Sequence, residues 1–292
     1  MNEIISKIRK YEIRIRKIIN TQMHGDFQSV FKGSGLEFAD VRDYMYGDDV
    51  RRIDWNVSAK GQGVFVKEFR EEKEQMVFFV VDVSASQNLG MIRSKLRITQ
   101  EICGVLAISA AKENSDIGLI AFSDQKERYI KAQKGEKYAY EMISKLLDLE
   151  PKSLKTDISK MILYTLQSIK RRSIIILLSD FIGENYEAHL KALARKHDLI
   201  MIQLYHSQEI SLPNLGIVPM IDVETKKTFW INTSSRKIKQ MQKDRFARIS
   251  QNLQNIALKT NANLLQINTE QDFVPQLVEL FKKRKKKIRK YS

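Results

Sequence analysis

Apolar positions along this chain fall into two rhythms, and the change between them divides it. Residues 2–20 carry Ile4, Ile5, Ile8, Tyr11, Ile15, Ile18 and Ile19 at helical spacing, with Arg and Lys between them. That spacing predicts an amphipathic helix. From residue 76 the rhythm becomes that of an α/β protein. Residues 76–81 and 173–178 are continuous apolar runs, the pattern of strands buried on both faces. Further strands are predicted at 117–122, 127–131, 199–205 and 263–267. Helices are predicted at 94–112, 136–148, 158–171, 185–196, 235–259 and 271–286, with a short hairpin over 217–231. Strands alternating with helices predict an α/β fold with a Rossmann-like, mostly parallel sheet covered by helices on both faces.

Residues 25–70 break both rhythms. They are rich in Gly and in charges of both signs, yet hold eight of the chain's 25 aromatic residues. Disordered segments are poor in aromatics, so an ordered, turn-rich lobe is expected, with Gly33, Gly35 and Gly47 at turns and a strand over 64–69. The resulting division is an N-terminal helix at 1–22, the turn-rich segment at 23–72, the α/β domain at 73–281 and a basic tail at 282–292.

Composition narrows the function classes. The longest apolar stretch is about ten residues, 102–111, half of what a membrane-spanning helix needs. One cysteine, Cys103, excludes a disulfide framework and a cysteine-based zinc cluster. Together with an N-terminus that lacks an apolar signal core, this leads to a cytoplasmic protein as the expectation. The net charge of +15 is unevenly placed. Residues 1–20 hold six basic and two acidic residues, and 282–292 hold eight basic and none acidic. The body is left nearly neutral, so no specific nucleic-acid surface is expected on the fold itself. The tail reads as a solvated helix end, with a weak contact to an anionic membrane surface or RNA as the alternative.

Candidate chemistry collects at strand ends. The first buried strand runs into Asp82-Val83-Ser84-Ala85-Ser86, the strand at 173–178 runs into Ser179-Asp180, and Thr156-Asp157 opens a helix. Ligands of open α/β sheets bind beyond the carboxyl ends of the strands, where strand order reverses. Crossovers that set these strands side by side would turn Asp82, Ser84, Ser86, Thr156 and Asp180 toward one point. Two carboxylates and three hydroxyls form an all-oxygen set, suited to Mg²⁺ or another hard divalent cation. The same residues are also good helix caps, which is the plainer explanation for any one of them.

This pattern resembles the metal-ion-dependent adhesion site of von Willebrand factor A domains. The resemblance implies Mg²⁺ held by the five residues, with one coordination place left for an acidic side chain of a partner. The preceding segment is similar to the signature of the DUF58 family: Gly33-Ser34-Gly35-Leu36-Glu37-Phe38, Arg42-Asp43-Tyr44, Gly47 through Trp55, and Ser58-Ala59-Lys60. That resemblance implies a non-enzymatic binding module, partnered by a MoxR-type AAA+ ATPase in a chaperone-like or assembly role.

Other chemistries fit less well. No Gly-Lys-Ser/Thr phosphate loop, no dinucleotide fingerprint and no Gly-x-Ser-x-Gly elbow is present. The enzymatic alternative is a Mg²⁺-dependent phosphohydrolase with Asp82 as nucleophile, although Ser84 stands where its general acid would be. His24, His189, His197 and His206 are scattered, and Cys103 reads as a buried, inert thiol.

Overall fold

The computed structural model describes residues 36–59, 61, 63–71, 75–88, 94–222 and 225–291. The expected N-terminal helix, the signature residues before Leu36, and Lys60 lie outside them.

The first described elements form a small ribbon. Strand β1 (Leu36–Asp43) pairs antiparallel with β2 (Phe65–Glu71), with an irregularity between Phe38 and Asp40. Between them, Asp54 caps a single helical turn, α1 (Trp55–Ser58), by accepting the Asn56 and Val57 N–H groups. The Arg42 guanidinium forks onto both oxygens of Asp48 at 2.7 Å. It holds that carboxyl down at about 2, the Met45 N–H adding to the effect. Charges of the ribbon pair locally, Arg42 with Asp48 and Lys67 with Asp54.

The α/β domain is built on one six-stranded sheet of order β10-β7-β6-β3-β4-β5. Its strands are β3 (Met76–Asp82), β4 (Asp116–Phe122), β5 (Lys126–Gln133), β6 (Ile174–Ser179), β7 (Asp198–Tyr205) and β10 (Asn263–Asn268). All neighbours pair in parallel except β4 and β5. The remaining pair, β8 (Ile217–Ile221) and β9 (Thr228–Asn232), makes the separate hairpin expected over 217–231.

The continuous apolar runs are explained by two separate cores. Val77, Phe79 and Val81 face one way, toward α2 (Lys95–Lys112), α3 (Glu136–Leu147) and α8 (Val274–Tyr291). Phe78 and Val80 face the other, toward α4 (Ile158–Ser168), α5 (Glu187–Lys196) and α7 (Arg236–Thr260). A strand that feeds both layers cannot afford polar positions, and each such side chain contributes roughly 1.5–3 kcal/mol when fully buried. The remaining short helix, α6 (Ser207–Ile210), follows β7.

Two elements end differently from expectation, for visible reasons. Helix α4 stops at Ser168 because Ile169 turns extended and is itself buried. Lys196 donates to the freed carbonyls of Leu166 and Ile169, both at 2.8 Å. Helix α8 runs on into the basic tail. Arg284, inside that run, is only 6% exposed and pairs both its terminal nitrogens with Asp198. The run expected as a solvated tail thus contains a structural cation, Arg284.

Candidate metal centre

Strand order reverses at β3. The chain leaves β3 for β4 and β5 on one side, then returns to lay β6, β7 and β10 on the other. The carboxyl ends of β3 and β6 flank this switch point, and Asp82 and Asp180 sit there, 1% and 3% exposed.

Asp82 closes the turn after β3. Its Oδ1 accepts the Ser84 N–H at 3.0 Å and the Ser84 hydroxyl at 2.7 Å. Its Oδ2 accepts the Ser179 hydroxyl at 2.9 Å and the Gln87 side-chain N–H at 3.2 Å. Ser86 lies 3.1 Å from Ser84, oxygen to oxygen, and donates to Asp180 Oδ2 at 3.1 Å. Two serine–carboxylate pairs, Ser84 with Asp82 and Ser86 with Asp180, therefore meet across the switch point at the 3.1 Å contact between the serine oxygens. The serine hydroxyls give their protons to the carboxylates, which leaves their own lone pairs to face a cation.

Thr156 is placed by its loop. Two residues earlier, the Leu154 carbonyl accepts the Ala85 N–H at 3.1 Å, and one residue later Asp157 donates its N–H to Ser123 and caps α4. Glu127 anchors this loop by accepting the Lys152 and Ser153 N–H groups and the Ser123 hydroxyl. Partial burial works to raise the Glu127 carboxyl, but these hydrogen bonds outweigh it and hold it below its ordinary range.

Three further residues complete the cluster, and the sequence pattern had not singled them out. The Lys95 ammonium, fully buried, lies 2.6 Å from Asp180 Oδ2 and 2.6 Å from Glu209 Oε1. Burial opposes its charge, but Asp180 and Glu209 together raise it above the ordinary lysine range. Glu209 is fixed in turn by a capping box with His206 at the start of α6. Gln87, also fully buried, reaches Asp82 and Ser86 through its amide nitrogen, while its amide oxygen has no partner among the described residues. Lys95 did carry a signal. It is the first residue of α2, after the Ser94 cap, where a cation opposes the helix dipole and so needs another reason to be there.

The electrostatics are unbalanced. Burial, and then the Asp180 carboxylate, push the Asp82 carboxyl up to about 6 from 3.8. The linked cluster sets three carboxylates, Asp82, Asp180 and Glu209, against one ammonium. The cluster thus holds more acidic than basic groups, and buried charge is normally compensated. Directly beyond Asp180, Phe181 takes a left-handed φ of 58° and is wholly buried. Such backbone costs about 1–3 kcal/mol in a non-glycine residue and clusters at functional sites. Among the described residues, no three His, Cys, Asp or Glu side chains converge as a ready metal cage. The donors are all oxygen and fit a hard divalent cation, which is content with two carboxylates, hydroxyls and water.

A family model described as protein of unknown function DUF58 matches residues 40–252. The chain belongs to the DUF58 family. Nearly the whole chain is similar to uncharacterized proteins of Mycobacterium bovis and Mycobacterium tuberculosis. Each is 24% identical over 294 residues, covering 97% of this chain and 90% of the relative. Among solved structures, the DUF58 chain is similar to the conserved hypothetical protein BatB from Bacteroides thetaiotaomicron, at 14% identity and a TM-score of 0.48, over 74% of this chain and 98% of that one.

Proposed function

We propose that this protein is a non-enzymatic binding module, with a von Willebrand A-like domain whose adhesion site engages an acidic side chain of a partner through Mg²⁺. The observation that carries the reading is the meeting of two serine–carboxylate pairs, Ser84–Asp82 and Ser86–Asp180, across the switch point. Ser84, Ser86 and Thr156 would hold the ion through neutral oxygens, with Asp82 and Asp180 behind them. Neutral ligands leave most of the positive charge on the metal, which supplies the Lewis acidity that a partner's carboxylate takes up. Ser86 and Thr156 are the partly exposed members of the set, so the approach is from their side. The partner suggested by the family resemblance is a MoxR-type AAA+ ATPase, in a chaperone-like or assembly role. The fold alone does not fix this.

The phosphohydrolase alternative has less support. A nucleophilic carboxylate needs a lone pair aimed at open space, whereas both Asp82 oxygens are buried under donors from Ser84, Ser179 and Gln87. The test pairs thermal unfolding with binding to a purified MoxR-type ATPase, in Mg²⁺ and in chelator. Mg²⁺ should stabilise the wild type and support the complex, and Asp82→Ala should lose both effects. Binding that survives both chelator and Asp82→Ala would refute the adhesion-site reading.

A further inference from the structure

We infer that Lys95 is a built-in competitor for the cation, a tethered positive charge that holds Asp180 when no divalent ion is bound and so sets the site's affinity. The inference rests on the metal-centre reading above and adds a residue to it.

The geometry is specific. Lys95 Nζ is 2.6 Å from the same Asp180 oxygen, Oδ2, that accepts the Ser86 hydroxyl. Asp180 is thus engaged by an ammonium on the side that faces the serine. The ammonium is fully buried and belongs to the first turn of α2, where the helix dipole repels it. Its cost there is offset by carboxylates from two other elements, Asp180 after β6 and Glu209 on α6. Gln87 plays the neutral counterpart by donating its amide N–H to Asp82 and Ser86. These two nitrogen groups satisfy oxygens gathered at the switch point, as a cation would.

Two consequences follow from charge alone. Lys95 can leave Asp180 without being stranded, because Glu209 still holds it. Glu209 is therefore the second seat for the ammonium, and its charge determines how readily Asp180 is released. Removing the ammonium favours a divalent ion at Asp180. Neutralising Glu209 binds the ammonium more firmly to Asp180 and disfavours the ion.

The experiment is calorimetric titration of the full chain with MgCl₂, comparing wild type, Lys95→Met and Glu209→Gln. The expected result is a dissociation constant lowered by about tenfold or more in Lys95→Met and raised by a similar factor in Glu209→Gln, each tenfold being a modest change in free energy. Should Lys95→Met fold poorly, Glu209→Gln decides, since it keeps the size and hydrogen-bonding capacity of the side chain. Wild-type binding with an unchanged or tighter constant in Glu209→Gln overturns the inference and leaves the metal centre standing. The absence of Mg²⁺ binding in all three proteins overturns the metal-centre reading itself, and the inference with it.

Discussion

Replacing Asp82 with Asn should make the metal-free protein more stable at neutral pH, although it removes a residue bonded to three side chains. The reason lies in the raised carboxyl. Its ordinary value is 3.8, and burial with the neighbouring Asp180 carboxylate moves it to about 6 in the folded state. A carboxyl whose folded value is raised contributes its stability below the unfolded value and loses it as pH climbs through the folded one. The loss therefore falls between about pH 4 and pH 6. At roughly 1.4 kcal/mol per unit, the folded protein carries a penalty on the order of 3 kcal/mol at pH 7. Asp82→Asn abolishes the ionisation. The new carbonyl keeps the Ser84 donors, and the new amide can donate to the unpartnered Gln87 oxygen if that side chain turns over. Losing the charged acceptor for Ser179 returns about 1–2 kcal/mol of the gain. The expected net effect is stabilisation of about 1–2 kcal/mol at pH 7.5, with a flatter pH dependence between 4 and 6. Chemical denaturation in chelator at several pH values measures both. An Asp82→Asn protein that is less stable at pH 7.5 and keeps the wild-type pH slope would refute the idea that Asp82 is held there at a cost.

Two other outcomes test the frame around the site. Gly118→Ala in β4 should destabilise by about 1–3 kcal/mol, because an added Cβ would sit 2.4 Å from the Phe78 ring and 3.0 Å from the Ile130 carbonyl; equilibrium denaturation reads the loss. Glu127→Ala should cost about 1–3 kcal/mol and speed hydrogen exchange in the loop before α4, since it frees the Lys152 and Ser153 N–H groups; protection of that loop equal to wild type would show that Glu127 does not anchor it.

The central strands were legible in the sequence because burial on both faces leaves an unbroken apolar run, as in β3 and β6. Strand β1 was not. Leu36–Asp43 mixes apolar and charged residues and, among the described residues, pairs with β2 alone in a two-stranded ribbon apart from the main sheet, which does not demand a strict alternation. The site divides in the same way. Asp82, Ser84, Ser86 and Asp180 lie within four residues of a buried strand's end, so locating the strand located them. Lys95 and Glu209 reach the cluster across 85 and 114 residues of chain, through crossovers whose pairing no local pattern reveals. Arg284 was hidden for a related reason. Its basic neighbours mark it as solvated, and only the packing of α8 beside β7 brings it to Asp198.

The Asp82–Asp180 junction can be viewed directly by crystallising the protein with Mn²⁺ in place of Mg²⁺ and recording anomalous scattering. The account predicts a peak about 2–2.3 Å from the Ser84 and Ser86 hydroxyl oxygens, with the Lys95 ammonium withdrawn from Asp180 to Glu209. A map with no peak at the switch point, and Lys95 still seated on Asp180 at saturating metal, would contradict it.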